Sequence, residues 1–153
     1  MRVVVQKVTE SGVKVKDVNY QQETGRGTVI LIGIKKGDSE KDAVYLADKC
    51  SNLRIFYADS DSSDKKMDLS LKDINGEVLI ISQFTLYGDA SRGNRPGYTD
   101  SARPGEALPL YEKFIERMKF NLGGEKVKSG IFGAMMEVKI INDGPVTIII
   151  NSK

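Results

Sequence analysis

The 153-residue sequence predicts a β-rich α+β fold, in which antiparallel sheets form a sandwich or open barrel and two helices pack on one side. Short runs rich in β-branched residues recur along the chain, separated by turn sequences that contain glycine or asparagine. Only two segments carry apolar residues at helical spacing. Because this length suits one compact domain, we expect residues 1–153 to fold as a single domain.

Three strands are predicted in the first part of the chain. Residues 3–8 form an apolar run typical of a buried strand, and residues 13–18 alternate as a return strand. The glycine-containing segment 10–12 is predicted to turn between them. A second turn at 25–27 leads into 28–34, whose β-branched residues predict a strand covered on both faces.

Two helices are predicted. Ser39 and Asp42 have the spacing of an N-cap residue and an acid three positions later, which indicates a helix over 40–52. The second helix is predicted over 106–122, where apolar residues recur on one face until Gly123-Gly124 ends the helix.

The segment between the helices is predicted to hold a hairpin. Asn75-Gly76 is a strong turn signal, which would join a strand at 67–71 to a strand at 77–86. Before the hairpin, residues 53–57 are a predicted short strand and residues 58–66 a solvated loop.

The end of the chain predicts two further strands, at 131–141 and 146–151, joined by a turn at 142–145. A Gly144–Pro145 bond between strands is most simply a turn, although a cis bond would present its carbonyls in an otherwise unavailable direction. Asp143 is interpreted as a turn aspartate that bonds local backbone rather than as an acid catalyst. These residues alone leave the choice between cis and trans open.

Composition excludes several kinds of site. The sequence has no histidine and one cysteine, so it offers neither a ligand set for structural zinc nor an internal disulfide. Cys50 is interpreted as a buried packing residue of the first helix rather than a nucleophile. The apolar runs are too short to span a membrane and no signal peptide is recognised. We therefore expect a cytoplasmic protein without a metal ion or other cofactor.

Residues 82–85, Ser-Gln-Phe-Thr, place polar groups at the end of a predicted buried strand. Consecutive backbone N–H groups at such a position could stabilise an oxyanion. Thr85 is the candidate side-chain nucleophile, but no base accompanies it. On the residues alone, a polar strand end that faces water is the simpler interpretation.

A long loop is predicted over 88–105, and it contains Arg92, Arg95, Arg103 and Tyr98. Arginine matches the geometry of phosphate, and aromatic rings can stack on bases. Two aspartates in the same loop reduce its net charge to +1. A solvated loop without a ligand is therefore an equally good interpretation, and the overall charge of +2 does not by itself predict nucleic-acid binding.

Four segments resemble the D-aminoacyl-tRNA deacylase family: SQFTLYGD at 82–89, GNRPGYTDSARP at 93–104, FGAMM at 132–136 and NDGPVT at 142–147. Three more are similar: the opening MRVVVQKV, GRGTVILIGI at 25–34 and NLRIF at 52–56. The resemblance therefore runs nearly end to end and in order.

The resemblance implies an enzyme that hydrolyses the ester between a D-amino acid, or glycine, and the 3′-terminal adenosine of tRNA. It also implies a homodimer whose active sites lie at the subunit interface, with the aminoacylated tRNA end as partner rather than DNA or a membrane. The terminal 2′-hydroxyl of the tRNA is expected to assist catalysis, which is compatible with the absence of histidine.

The same resemblance implies roles for particular residues. The pocket is expected to be lined by Ser82, Gln83, Phe84, Thr85, Phe132 and Met136. Within this set, the backbone amide of Phe84 would hold the substrate, and Thr85 would position it rather than attack it.

A second element is expected to enter the pocket from the partner subunit. The resemblance implies a cis bond at Gly144–Pro145, whose carbonyls would leave no room for an L side chain. Lys7 stands where the family commonly has an arginine that braces this element, and lysine lacks the planar guanidinium group.

Two alternatives remain open from the sequence. A sister deacylase with a trans Gly–Pro bond would accept a small L-aminoacyl-tRNA. A non-catalytic RNA-binding module would keep the same fold without turnover.

Overall fold

The computed structural model describes residues 1–58 and 66–152, so the predicted loop at 58–66 lies, except for its end residues, outside the described residues. The elements, in chain order, are β1 Arg2–Val15, β2 Tyr20–Thr24, β3 Gly27–Gly33, α1 Glu40–Asn52, β4 Phe56–Tyr57, β5 Met67–Leu69, β6 Glu77–Ser82, α2 Pro104–Leu122, β7 Val127–Ser129 and β8 Glu137–Asn151. Both predicted helices are confirmed, and α2 begins two residues earlier than expected.

The strands form one curled, mixed sheet and a separate two-stranded sheet. The large sheet has the order β2-β1-β3-β6-β7, with β8 on the other edge of β1, and β4 pairs with β5. The Tyr20 hydroxyl donates a hydrogen bond to the Ser129 carbonyl at 2.8 Å, which brings β2 back towards β7 and gives an open barrel. The α+β class and the open barrel are therefore confirmed.

The expectation of wholly antiparallel sheets is wrong. β3 pairs with β6, and β6 with β7, in parallel register. A parallel pair needs a long crossover connection. The segment that holds α1 and the small sheet connects β3 to β6, and the segment that holds α2 connects β6 to β7.

β1 is one continuous strand, so the predicted turn at 10–12 is wrong. Ser11 and Gly12 are buried, and each is paired with β2 on one side and with β8 on the other. The hydroxyls of Ser11 and Thr24 lie 2.5 Å apart and share a hydrogen bond. Neighbouring strands thus satisfy both the backbone and the polar side chain that locally indicate a turn.

The predicted hairpin at Asn75-Gly76 is also wrong. A turn does occur there, with Asn75 at a φ of 50°, but β5 pairs with β4 and not with β6. Both edges of β6 are taken by β3 and β7, which leaves no place for β5.

β8 continues through the predicted turn at 142–145 by means of a bulge. Gln6 of β1 pairs with Thr147, and Val8 pairs with Asn142. The single residue Lys7 therefore stands opposite the four residues 143–146. The Asn142 side-chain amide donates to the Val146 carbonyl at 3.2 Å and closes the bulge.

The main core lies between the sheet and the two helices. Fully buried members of this cluster include Ile30 of β3, Leu46 of α1 and Phe114 of α2. Val29 and Leu79 belong to a second cluster, because successive side chains of a strand point to opposite faces. None of the described helices is long and apolar enough to cross a membrane.

Asp42→Asn should destabilise α1 more at neutral than at acidic pH. The Asp42 carboxylate accepts hydrogen bonds from the Ser39 N–H at 2.8 Å and the Ser39 hydroxyl at 2.7 Å. These bonds lower the pKa of Asp42 from 3.8 to about 2. Because the folded-state pKa lies below the unfolded value, this stabilisation is present above pH 3.8 and is lost as the pH falls towards 2.

We expect a loss of about 1 kcal/mol of unfolding free energy at neutral pH, as is typical for a capping interaction. Urea denaturation should show that the difference in unfolding free energy between the wild type and Asp42→Asn narrows from pH 7 to the lowest pH at which the protein stays folded. A constant difference across that range would contradict the assignment.

Candidate functional site

A cavity of about 610 Å³ opens where β3 and β6 end. Its wall comes from Ile32 and Ile34, residues 81–84, three residues around the start of α2, and residues 132–136 with Val138. This volume lies within the range of small-molecule sites, about 300–1,000 Å³. The predicted residues Ser82, Gln83, Phe84, Phe132 and Met136 are thus brought together around one space.

None of the described residues that line the cavity is ionisable. The lining is apolar except for Ser82, Gln83 and main-chain groups. Cys50 lies in the helix–sheet core, where burial raises the pKa of its thiol to about 12 and makes it unreactive. Chemistry at this site therefore depends on main-chain dipoles, neutral polar groups or the ligand itself.

The segment 82–87 leaves the sheet abruptly. The Gln83 N–H donates to the Ile32 carbonyl at 2.8 Å, and the chain then enters a 3₁₀ turn over Phe84–Tyr87. Gly33 allows this turn to approach β3, because a Cβ there would lie 3.1 Å from the Gln83 carbonyl oxygen. The predicted strand over 77–86 consequently stops at Ser82.

Two main-chain donors are left open by this turn. Among the described residues, neither the Phe84 N–H nor the Thr85 N–H donates to a backbone carbonyl, as is usual for the first positions of a helical turn. Two residues of the following loop contact Phe84. The Ser101 hydroxyl donates to the Phe84 carbonyl at 2.9 Å, and the Tyr98 ring meets the Phe84 ring edge-on at 5.1 Å. The Phe84 and Thr85 N–H groups thus have no backbone acceptor among the described residues, and they belong to a segment that the contacts with Ser101 and Tyr98 hold in place.

Thr85 does not line the cavity. Its hydroxyl oxygen accepts a hydrogen bond from the Gln83 side-chain amide, within the same turn. In this structure the Thr85 side chain therefore supports the turn, and among the described residues its hydroxyl has no hydrogen bond to an ionisable side chain.

Phe132 and Met136 form the opposite wall. The Phe132 ring packs at 5.5 Å from the Tyr111 ring, and the Tyr111 hydroxyl donates to the Ile80 carbonyl at 3.0 Å. Met136 packs over Gly130, where a Cβ would collide with the Met136 sulfur. Contacts with Tyr111 and Gly130 therefore hold Phe132 and Met136 in place.

Gly144 and Pro145 do not line the cavity of their own chain. Both are exposed on the β8 bulge, and the peptide bond between them is cis, as the resemblance implies. Asp143 forms an ion pair with buried Lys7, with 2.9 Å between Nζ and Oδ2. The interpretation of Asp143 as bonded to local backbone is therefore wrong, and Lys7 contacts the residue beside the Gly–Pro pair.

A cation-holding site is not evident in the described part of the chain. There, no three His, Cys, Asp or Glu side chains come close enough together to share a metal ion.

The sequence model of the family described as D-Tyr-tRNA(Tyr) deacylase matches residues 4–151. The chain belongs to this deacylase family. The D-aminoacyl-tRNA deacylase of Fervidobacterium nodosum is 52% identical over 153 residues, covering 100% of this chain and 98% of the relative. The resemblance found in the sequence is thus confirmed.

Two other similar proteins carry different descriptions. A Bacillus subtilis relative, 53% identical over 131 residues and covering 86% of this chain and 95% of its own length, is named an inactive D-aminoacyl-tRNA deacylase. A solved structure described as a c-Myc DNA unwinding element binding protein superposes with a TM-score of 0.90 at 38% identity, covering 100% of this chain and 99% of the other. The names of these similar proteins thus include a deacylase, an inactive deacylase and a DNA unwinding element binding protein.

Sequence reasoning missed the wall that the start of α2 contributes. Ala102, Pro104 and Ala107 line the cavity, and Ser101 and Tyr98 hold Phe84. All but Ala107 fall within the segment 93–104, which resembles the family but for which the resemblance implies no pocket residue. Their position could not be inferred because they reach the cavity through a long loop.

Proposed function

We propose that this protein hydrolyses the ester that joins a D-amino acid to the 3′-terminal adenosine of tRNA, releasing the free amino acid and tRNA. Membership of the deacylase family sets the substrate class. The observation that carries the proposal is a cavity in which none of the described lining residues is ionisable, together with the Phe84 and Thr85 N–H groups that donate to no backbone carbonyl among the described residues. A site of this kind suits a substrate that brings its own reactive hydroxyl.

In the proposed reaction, water adds to the acyl carbon and the ester C–O bond breaks. In this proposal the Phe84 and Thr85 amides, which donate to no backbone carbonyl among the described residues, stabilise the negative charge that develops on the carbonyl oxygen, a task to which preorganised main-chain donors are suited. The 2′-hydroxyl of the terminal adenosine orients the water and relays its proton. Thr85 supports the turn and thereby keeps the donors in place.

Selection against L-amino acids is assigned to Gly144 and Pro145 of a partner subunit. The bulge at 143–146 interrupts the pairing of β8 with β1, Gly144 and Pro145 are both exposed, and neither lines the cavity of its own chain. Among the described strands, β8 pairs only with β1, and its exposed Ile141 and Ile149 suit a homodimer contact. Fixed carbonyls at the pocket would exclude L side chains and accept glycine as well as D-amino acids.

Incubation with D-tyrosyl-tRNA and L-tyrosyl-tRNA tests this function. We expect the D-ester, and a glycyl ester, to be lost much faster than in buffer, while the L-ester decays at the buffer rate. Loss of a small L-ester but not the D-ester would instead support the sister deacylase.

The second candidate is a non-catalytic member of the family. It is favoured by one observation, the 53% identity to a relative that is named inactive. In that case neither ester would be lost faster than in buffer, although the tRNA would still bind.

A further inference from the structure

Residues 88–103, called the arginine loop below, leave the 3₁₀ turn beside the cavity and return at the start of α2. The base of the loop is fixed: the Lys36 N–H donates to the Asp100 carbonyl at 3.0 Å, and the Ala102 N–H donates to the Ile34 carbonyl at 2.9 Å. Asp89 and Gly97 exchange two backbone hydrogen bonds of 2.8 Å. The loop is thus a ribbon pinned at the rim of the cavity, and residues 88–100 are all exposed.

Most positive charges in and beside this loop have no carboxylate partner among the described residues. Its two carboxylates are engaged, since Asp100 pairs with Lys35 at 3.1 Å and Asp89 accepts a bond from the Ser91 N–H at 2.9 Å. Four cations have no ion pair among the described residues: Lys36, Arg92, Arg95 and Arg103. Taken with Lys35 and Lys36, the loop has a net charge of +3 rather than the +1 of the segment alone.

Phe84 links the cavity to the arginine loop. It lines the cavity, and its exposed ring packs against that of Tyr98, which belongs to the same exposed loop as the arginines. An apolar and aromatic platform continued by arginines is the arrangement used to bind single-stranded nucleic acid, where rings stack on bases and guanidinium groups contact phosphates.

We propose that the arginine loop binds the phosphate backbone of the tRNA acceptor end, next to the terminal adenosine that occupies the cavity. This inference rests on the proposed function and adds to it the surface that holds the rest of the tRNA. Arg92 and Arg95 lie in the exposed tip of the loop, which the Asp89–Gly97 hydrogen bonds close, and are the principal contacts.

Two substrates separate this surface from the cavity. D-tyrosyl-tRNA uses both, whereas 3′-O-(D-tyrosyl)adenosine fills the cavity and carries no phosphate. For Arg92→Gln/Arg95→Gln we expect kcat/KM on D-tyrosyl-tRNA to fall by on the order of ten- to a hundredfold at low salt. The dependence of log(kcat/KM) on log[salt] should become shallower by about one for each phosphate contact removed. Hydrolysis of the adenosine ester should be unchanged.

Lys49→Gln/Lys119→Gln is the matched control, because it removes the same charge at a distant place. Both lysines are exposed near the C-terminal ends of the helices, which the ion pair of Arg117 with Asp48 holds together. The arginine loop joins the other end of α2, about 20 Å from Lys119 at 1.5 Å per residue. We expect the control to keep wild-type values on both substrates.

The outcomes are distinguishable. If the wild type hydrolyses neither substrate, the proposed function fails. If it hydrolyses both and the arginine variant keeps the wild-type rate and salt slope on D-tyrosyl-tRNA, the arginine loop is not the tRNA surface. An equal loss on both substrates, or the same loss in the lysine control, also overturns the proposal.

Discussion

Replacing the terminal adenosine of D-tyrosyl-tRNA by 2′-deoxyadenosine should nearly abolish its hydrolysis by this protein. None of the described residues that line the cavity is ionisable, so no side chain there can take over the proton transfer. Groups that transfer protons typically contribute about 10²–10⁴-fold to a rate, and we expect a loss of this size. Single-turnover rates on 3′-esters of both tRNAs measure it, with the rate in buffer subtracted for each.

Thr85→Ala should keep much of the activity in the same assay. The Thr85 hydroxyl is bonded to the Gln83 side chain, so its removal loosens the turn without removing a reacting group. We expect a decrease within about tenfold, and Thr85→Ser as the matched variant should stay near the wild type. A loss beyond about a thousandfold in Thr85→Ala, with activity kept in Thr85→Ser, would restore Thr85 as the nucleophile.

Asp143→Ala should be among the most destabilising single changes in this protein. The Lys7 side chain is 4% exposed and that of Asp143 is 37% exposed, and 2.9 Å separate Lys7 Nζ from Asp143 Oδ2. Removing the carboxylate leaves a buried ammonium without its counter-ion, which typically costs about 3–5 kcal/mol. The ring of Tyr57, 4.7 Å from the Lys7 ammonium, offsets part of this cost.

Lys7→Met should be much milder, within about 1 kcal/mol, because an apolar side chain can fill the buried position and water can hydrate the half-exposed carboxylate. The double variant Lys7→Met/Asp143→Ala should therefore resemble Lys7→Met and be more stable than Asp143→Ala. Urea denaturation of the wild type, the two single variants and the double variant, all at the same protein concentration, measures this double-mutant cycle. Equal losses in the two single variants would show that burial of Lys7 is not the cause.

Local patterns were sufficient for the helices and for the buried runs of β1, β3 and β6, whereas β7 was missed and the strand predicted over 131–141 begins only at Glu137. The spacing of Ser39 and Asp42 marked the start of α1, and the glycines after Leu122 marked the end of α2. These signals act within a few residues of the chain, so no distant partner is needed to interpret them. The five residues predicted for the cavity wall followed instead from the resemblance to the family, and not from local signals.

Strand pairing could not be inferred in the same way. Gly12 and the bulge at 143–146 have turn-like sequences, yet both lie inside long strands. Gly12 pairs with β2 and β8, and the two residues that flank the bulge, Asn142 and Thr147, pair with β1. The same local sequence can end a strand at the surface or lie within a strand inside a sheet, because pairing with neighbouring strands outweighs the local conformational propensity.

The sequence by itself determined the family, the α+β class, both helices and the absence of a histidine-dependent mechanism. Only the tertiary structure decided that residues 82–84 and 132–136 face one cavity, that Gly144 and Pro145 are exposed and do not line it, and that Lys7 pairs with Asp143. The physical reason is that residue type sets local conformation and chemistry, whereas burial and contact depend on segments that are remote in the chain and adjacent only after folding.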